Sequence, residues 1–371
     1  MRANEVMGIV FSNVHDDMLV ELTEKRSMAS VPFGGRYRII DFTLSNLVNA
    51  GIRKVGLITK SNYHSLMDHL GAGRPWDLDR KRGGLFILPP NNSGYSMNGG
   101  DVDALMGVRS FLKHCNEKYV VLCDADVVFN MNVEAMVDAH IAKNADVTVA
   151  YKHGRIPKNP RDLMLLDMDA DGKVTDIVFE EESDLSLNYS LDMMVIGRDK
   201  LIELVEGAAS HNHASLSINV FQRHLDQLNM YGYAFDGYAA TMDGISTYFH
   251  ASMDLLDKSV REQLFNRERP IYTKVRDDMP VKYGLGSKVS NSVVADGCII
   301  EGTVENCILF RGVRIGKNAV VKNCILMQDT IVGEGAVLSY VMTDKNVTIS
   351  KGRQLTGSEN YPMTIRKDST V

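Results

Sequence analysis

The stretch "KVSNSVVADGCIIEGTVENCILFRGVRIGKNAVVKNCILMQDTIVGEGAVLSYVMTDKNVTISKG", Lys288–Gly352, decides the architecture of the C-terminal part of the chain. Apolar pairs stand at Val293-Val294, Ile299-Ile300, Ile308-Leu309, Val320-Val321, Ile325-Leu326, Ile331-Val332 and Val337-Leu338. They recur every five or six residues, or at twice that interval, with Gly and Asn between them. Helical repeats need a longer unit, and a sandwich is less regular. The period is that of a parallel β-helix of hexapeptides, in which each apolar pair fills one rung of the core. Cys298, Cys307 and Cys324 abut these pairs and read as core thiols.

Upstream, short apolar runs alternate with helical patterns. "VMGIVF" reads as a buried strand, and "RIIDFTLSNLVNAG" as a helix stopped by Gly51. "KVGLITK" is the next strand, "DVDALMGVRSFLKHC" a helix, "KYVVLCDADVVF" a strand, "NVEAMVDAHIAKNA" a helix and "DVTVAYK" a strand. This alternation predicts right-handed crossovers and a mostly parallel sheet. Ligands of such sheets sit beyond the carboxyl ends of the strands, here the loops after "MGIVF" and "VVLCDAD". The Gly-, Pro- and Asn-rich "RPWDLDRKRGGLFILPPNNSGYSMNGG" between them reads as a mobile loop over that pocket. The expected division is an α/β domain over 1–250, a connector over 251–284 and a β-helix over 285–371.

A net charge of -6 argues against a general nucleic-acid or membrane-surface binder, so local basic clusters must carry any anion binding. Five cysteines, Cys115, Cys123, Cys298, Cys307 and Cys324, include no CxxC pair and suit free thiols in a reducing compartment. The N-terminal "MRANEVMGIVF" has neither a long apolar run nor a cleavage site, and no segment approaches a membrane span. A cytoplasmic location is expected.

Three segments carry candidate chemistry. The loop after the first strand, Ser12 to Leu19, has no Gly, Lys or Arg, whereas a phosphate cradle needs inward-facing N–H groups and a cation. It offers Asp16 and Asp17 instead, which repel phosphate or cap a turn. Asp124 and Asp126, at the end of a strand, suit a Mg²⁺ platform or a solvated turn. In "TEKRSMASVPFGGRYRIIDF", Lys25, Arg26, Arg36 and Arg38 surround Gly34-Gly35 and suit a sugar phosphate or carboxylate, or simply a charged surface. Trp76 suits a pocket wall or loop packing, and "HNH" at His211–His213 has no partner at metal-ligand spacing.

The run "FGGRYRIIDFTLSNLVNAGIRKVGLIT", the "PWDLDR" loop and the "GTVENCILFRGVRIGKNAVVKNCILMQDTIVGEGA" repeats together resemble the bacterial ADP-glucose pyrophosphorylases. The resemblance covers nearly the whole chain. It implies a Rossmann-like nucleotidyltransferase domain followed by a left-handed β-helix. It also implies tetramers that make ADP-glucose from ATP and glucose 1-phosphate, with Mg²⁺, under allosteric control.

Against this pattern the catalytic positions depart. The family's "GGxGTRL" aligns with Asn13 to Leu19, "NVHDDML", so Asn13, Val14 and Asp16 stand in the phosphate loop and Met18 replaces its Arg. The Lys of "AKPAV" is Met28; "SGDH" becomes "DADV", which keeps Asp126; the partner Asp of "WxDVGT" is Thr241; the Lys of "EEKP" is Glu182. The family's effector-binding basic residues correspond to Lys25, Arg26 and Arg38, all retained. The combination resembles GlgD-type subunits, which partner a catalytic GlgC-type chain. It implies a catalytically inactive regulatory chain in a hetero-oligomer, responsive to a phosphorylated sugar, with no catalytic residues or metal of its own and Mg²⁺ only in the partner. Two alternatives stay open. One is an active nucleotidyltransferase rewired around Asp124, Asp126 and Asp243. The other is a β-helix acyltransferase or scaffold, weakened by the lack of any His in 285–360.

Overall fold

A computed structural model of the chain describes residues 3–12, 16–60, 62–89, 100–156, 163–179 and 185–371. The N-terminal strand Val6–Phe11 is fully buried and sits centrally in a mixed nine-stranded sheet. It pairs in parallel with Lys54–Ile58 on one side and Tyr119–Asp124 on the other; Gly84–Leu88 extends the parallel half to an edge. Beyond Tyr119–Asp124 the pairing turns antiparallel, through Ser186–Gly197 to Met164–Met168 and Val174–Phe179, with Val147–Arg155 branching off Ser186–Gly197. Helices cover both faces over two apolar clusters, the arrangement that a run of alternating strands and helices dictates. At Gly8 the first strand packs closely on the helix Ile39–Asn49: a Cβ there would lie 2.8 Å from the Leu47 side chain, which would have to move.

Three details differ from the sequence reading. "DVDALMGVRSFLKHC" forms two helices, Asp101–Gly107 and Arg109–His114, since Gly107 is a weak helix former at the break. "KYVVLCDADVVF" splits into Tyr119–Asp124 and Val127–Phe129, which belong to different sheets. Within the supposed loop 74–100, Trp76 is 2% exposed and Gly84–Leu88 is an edge strand. The apolar "GLFIL" was hidden there by its Gly and Pro neighbours. Residues 90–99 of that segment lie outside the described residues.

The C-terminal part is a left-handed β-helix with three five-stranded parallel faces. Every apolar pair quoted above lies on or next to a rung strand, and Cys298, Cys307 and Cys324 are fully buried among them. At one corner Asn291, Asn306 and Asn323 adopt left-handed backbone, which Asn tolerates. Their side chains bond in a ladder, at 2.8 Å and 3.2 Å.

The two parts share one apolar core. Phe33, Phe42, Tyr248, Phe249 and Leu264 pack with Ile308, Phe310, Ile325, Met327 and Met342 of the β-helix. Gly35, at φ 84°, turns the "FGG" segment so that it touches Leu309 and Val293. Beside this core the buried Arg26 bonds both carboxylate oxygens of Asp344, at 2.9 Å and 2.8 Å. Removing one partner of a buried pair strands the other charge, which typically costs about 3–5 kcal/mol. Asp344→Ala is therefore expected to lower the unfolding free energy by about that amount, measured by urea denaturation; a loss under about 1 kcal/mol would show the pair to be dispensable.

Candidate functional site

Two places invite chemistry: the pocket at the carboxyl ends of the central strands, and the cleft between the α/β part and the β-helix.

In the first, Asp124, Asp126 and Asp192 each place a carboxylate oxygen within 4.8 Å of the others. Asp126 is 4% exposed, and its backbone carbonyl accepts the N–H of Met242. The sequence reading singled out Asp124 and Asp126 but took Asp243 as the third acid. Asp243 is buried, close to Thr241 in sequence, but Asp192 completes the trio. Asp192 sits at φ 50°, where the register of Ser186–Gly197 on Val147–Arg155 shifts between Ser190 and Met194. That irregularity places it beside Asp124 and Asp126, and no sequence motif announces it. Three clustered oxygen ligands are of the type that holds Mg²⁺.

The cationic half of a phosphoryl-transfer site is absent among the described residues of the first loop. Met28 is 1% exposed, and Met18 packs against the same apolar cluster that joins the two parts. Asp16 has become a strut: its carboxylate accepts the N–H of Met28 at 2.6 Å, and its backbone carbonyl accepts the Thr23 hydroxyl at 2.5 Å. Thr241 pairs with Val127 in a two-stranded ribbon. Asn13, Val14 and Glu182 lie outside the described residues. His211 and His213 stack at 5.7 Å at the exposed end of the helix Arg198–Ser210 and belong to no metal-ligand group among the described residues.

The second place is a cavity of about 370 Å³. Six cations line it: Arg36, Arg38, Lys274, Arg276, Arg311 and Lys345, with Asp68 the lining carboxylate. They come from the "GGRYR" turn, the connector and two β-helix coils. Arg38 donates to the carbonyl and hydroxyl of Ser65, both at 2.8 Å, while its own N–H is accepted by Asp41. Burial lowers its pKa to about 10, still far above neutrality, so it stays charged. Asp41 also holds His69 at 2.5 Å; burial lowers the pKa of that ring, which meets Trp76 edge-on. Trp76 thus supports one wall from behind. Lys274 pairs with Asp68 at 3.4 Å, and Arg311 lies 3.5 Å from Asp278. Among the described residues, no carboxylate lies within 4.0 Å of the Arg36 or Lys345 charge.

A smaller cavity of about 230 Å³ adjoins through the Arg26–Asp344 pair and is lined by Lys25, Arg26, Arg366 and Lys367 with Glu21 and Glu24. The structure therefore distributes the three sequence-derived effector residues over two neighbouring cavities. Arg38 lines the larger, and Lys25 and the buried Arg26 line the smaller. The other cations were missed because each is an isolated basic residue in a coil or connector, and only folding gathers them.

This arrangement, a nucleotidyltransferase sheet docked on a hexapeptide β-helix, defines a class that comparison with known proteins narrows. The nucleotidyl transferase family matches residues 17–181, and the GlmU-like C-terminal hexapeptide family matches residues 280–360. A glycogen biosynthesis protein GlgD from Bacillus subtilis (strain 168) is 36% identical over 370 residues, spanning 98% of this chain and 96% of that protein. A GlgD from Geobacillus stearothermophilus is 38% identical, spanning 86% of this chain and 83% of its own. A glucose-1-phosphate adenylyltransferase from Clostridium novyi (strain NT) is 32% identical, spanning 86% and 85%. The chain belongs to the ADP-glucose pyrophosphorylase family and is GlgD-like.

The strut at Asp16 can be tested directly. A hydrogen bond to a charged acceptor contributes about 1.5–3 kcal/mol. Asp16→Ala is expected to lower stability by about that much, read as a shift of the urea midpoint; an unchanged midpoint would mean that the loop carboxylate supports nothing.

Proposed function

We propose that this chain is the regulatory, catalytically inactive subunit of a cytoplasmic ADP-glucose pyrophosphorylase hetero-oligomer that supplies ADP-glucose for glycogen. Its partner is a catalytic GlgC-type chain in a tetramer, and Mg²⁺ works in that partner. The observation that carries this reading is a contrast between the two places. Where the family resemblance puts a catalytic Arg and Lys, Met18 and Met28 pack into apolar core; in the interdomain cleft, six cations remain. Loss of a single electrostatic group at a transferring phosphoryl typically costs about a hundredfold or more in rate. Losing both, with Thr241 and Glu182 also departing from the pattern, removes the cations that the family resemblance would set against the charge of the transition state. The cleft accepts a phosphorylated sugar, whose dianion the lining guanidinium groups bind by charge-assisted hydrogen bonds.

The acidic trio favours one second reading, an active enzyme with a rewired metal site. The same experiment separates the two. The chain alone, given MgATP and glucose 1-phosphate, is expected to show no turnover above background. Added to its catalytic partner, it is expected to change kcat, substrate saturation or effector response. Robust turnover by the chain alone, abolished by Asp126→Ala, would establish the second reading and overturn the first.

The effector site has its own test. Arg36 and Lys25 are exposed, so their replacement spares the core. The double variant Lys25→Glu, Arg36→Glu is expected to raise the sugar-phosphate concentration for half-maximal response by about tenfold or more, equivalent to about 1.4 kcal/mol. Assembly with the partner, checked by mass measurement, is expected to persist. An unchanged response would move the effector site elsewhere.

A further inference from the structure

Of the cations in the larger cavity, Lys345 is the one whose charge its surroundings oppose and whose chemistry lets it yield. Arginine stays protonated in proteins, and Lys274 has Asp68 beside it. Lys345 is half-buried and has no carboxylate within ion-pair distance among the described residues. Arg38 faces it from the segment before the helix Ile39–Asn49, Arg26 from the segment after the first loop, and Lys367 from the C-terminal coil. The nearest opposing charge is its neighbour Asp344, both of whose oxygens are engaged by Arg26.

Elsewhere in the cavity Arg276 and Arg311 share Asp278, with Asp296 also beside Arg311, and Lys274 has Asp68; Arg36 adds a positive charge with no carboxylate at ion-pair distance among the described residues. His69 is buried and bonded to Asp41, and its lowered pKa keeps it from contributing a charge near neutral pH. Removal from water, then Arg38 and Arg26, bring the Lys345 pKa down to about 7. With no countercharge beside it, the amine yields its proton more readily than an ordinary lysine as pH rises. A doubly charged anion supplies the countercharge that the cavity lacks, and reverses the balance.

We propose that a phosphate-type dianion enters this cavity together with one proton, taken up by Lys345 Nζ, so that occupancy of the effector site reads pH as well as effector concentration. This rests on the cavity being the effector site. The proton comes from solvent and forms one N–H bond; nothing else is made or broken. The sign follows from linkage. Binding is strongest where the amine is already protonated, and it weakens as pH rises above 7, because each binding event must then recruit a proton.

Inorganic sulfate is the best ligand for the test, since it stays a dianion across the range. The full chain is titrated calorimetrically with sulfate at pH 8.5 in buffers of different ionisation enthalpy, and again from pH 7 to 9. Expected are the uptake of close to one proton per sulfate and a loss of affinity approaching about tenfold per pH unit. Lys345→Arg, charged throughout, is expected to bind sulfate with a flat pH profile and no proton uptake. Sulfate binding to wild type with heats independent of buffer would overturn the proton linkage and leave the site standing. A failure of wild type to bind sulfate or phosphate at any pH would overturn the site itself. The buffer comparison uses wild-type protein alone, so its outcome does not depend on whether a substituted chain folds.

Discussion

Arg26 and Asp344 meet where the α/β part and the β-helix exclude water, and much of the structure is arranged around that contact. A buried ion pair is weak evidence for stability in itself, because desolvation offsets much of the attraction. Its value lies in geometry. One guanidinium nitrogen, Arg26 Nη2, reaches both Asp344 oxygens, and this charge-assisted contact fixes a distance that the surrounding apolar contacts alone leave looser. The aromatic cluster of Phe33, Phe42, Tyr248 and Phe249 presses the same surfaces together from one side. The pair also lines the cavity of Lys25 and Lys367, and Lys345, next to Asp344 in sequence, lines the cavity of Arg38.

The contact reaches further than the cleft. Arg26 lies between Thr23, which bonds the backbone of Asp16, and Met28, whose N–H is held by the Asp16 carboxylate. A shift of Asp344 therefore bears on the segment that follows the first strand. Packing and hydrogen bonds thus link the interdomain contact to the segment that follows the first strand. Measured coupling energies are what make such a link a pathway.

Much of the fold was legible in the sequence, and the reasons are physical. Rung pairs such as Ile308-Leu309 and Ile325-Leu326 repeat because each coil stacks on the one before, so the β-helix writes its period into the chain. The buried strand Val6–Phe11 and the helix Ile39–Asn49 were equally plain. Less visible was the antiparallel half of the large sheet, whose strands differ little in composition from the parallel ones. The strand Gly84–Leu88 was masked by neighbours that favour turns. Of the site, the basic "EKR" and "GGRYR" segments showed themselves because they are contiguous. Lys274, Arg276, Arg311 and Lys345 did not, since each is unremarkable until coils far apart in sequence stack against the connector. Asp192 was hidden differently: its carboxylate reaches the trio through a left-handed residue at a sheet irregularity, which no periodicity encodes.

The two clefts make opposite energetic choices, and that contrast separates structure from function. Met18 and Met28 pack against the apolar cluster, and a cation there would carry a desolvation cost that Met does not. The interdomain cavity has the opposite arrangement: six cations line it, of which Lys274, Arg276 and Arg311 have carboxylate partners, while Lys345 is held against its own preference for charge. Like charges at close range weaken a fold unless something balances them. The first site is thus apolar where a cation would be costly, and the second keeps several cations together at an electrostatic cost that negative charge among them relieves.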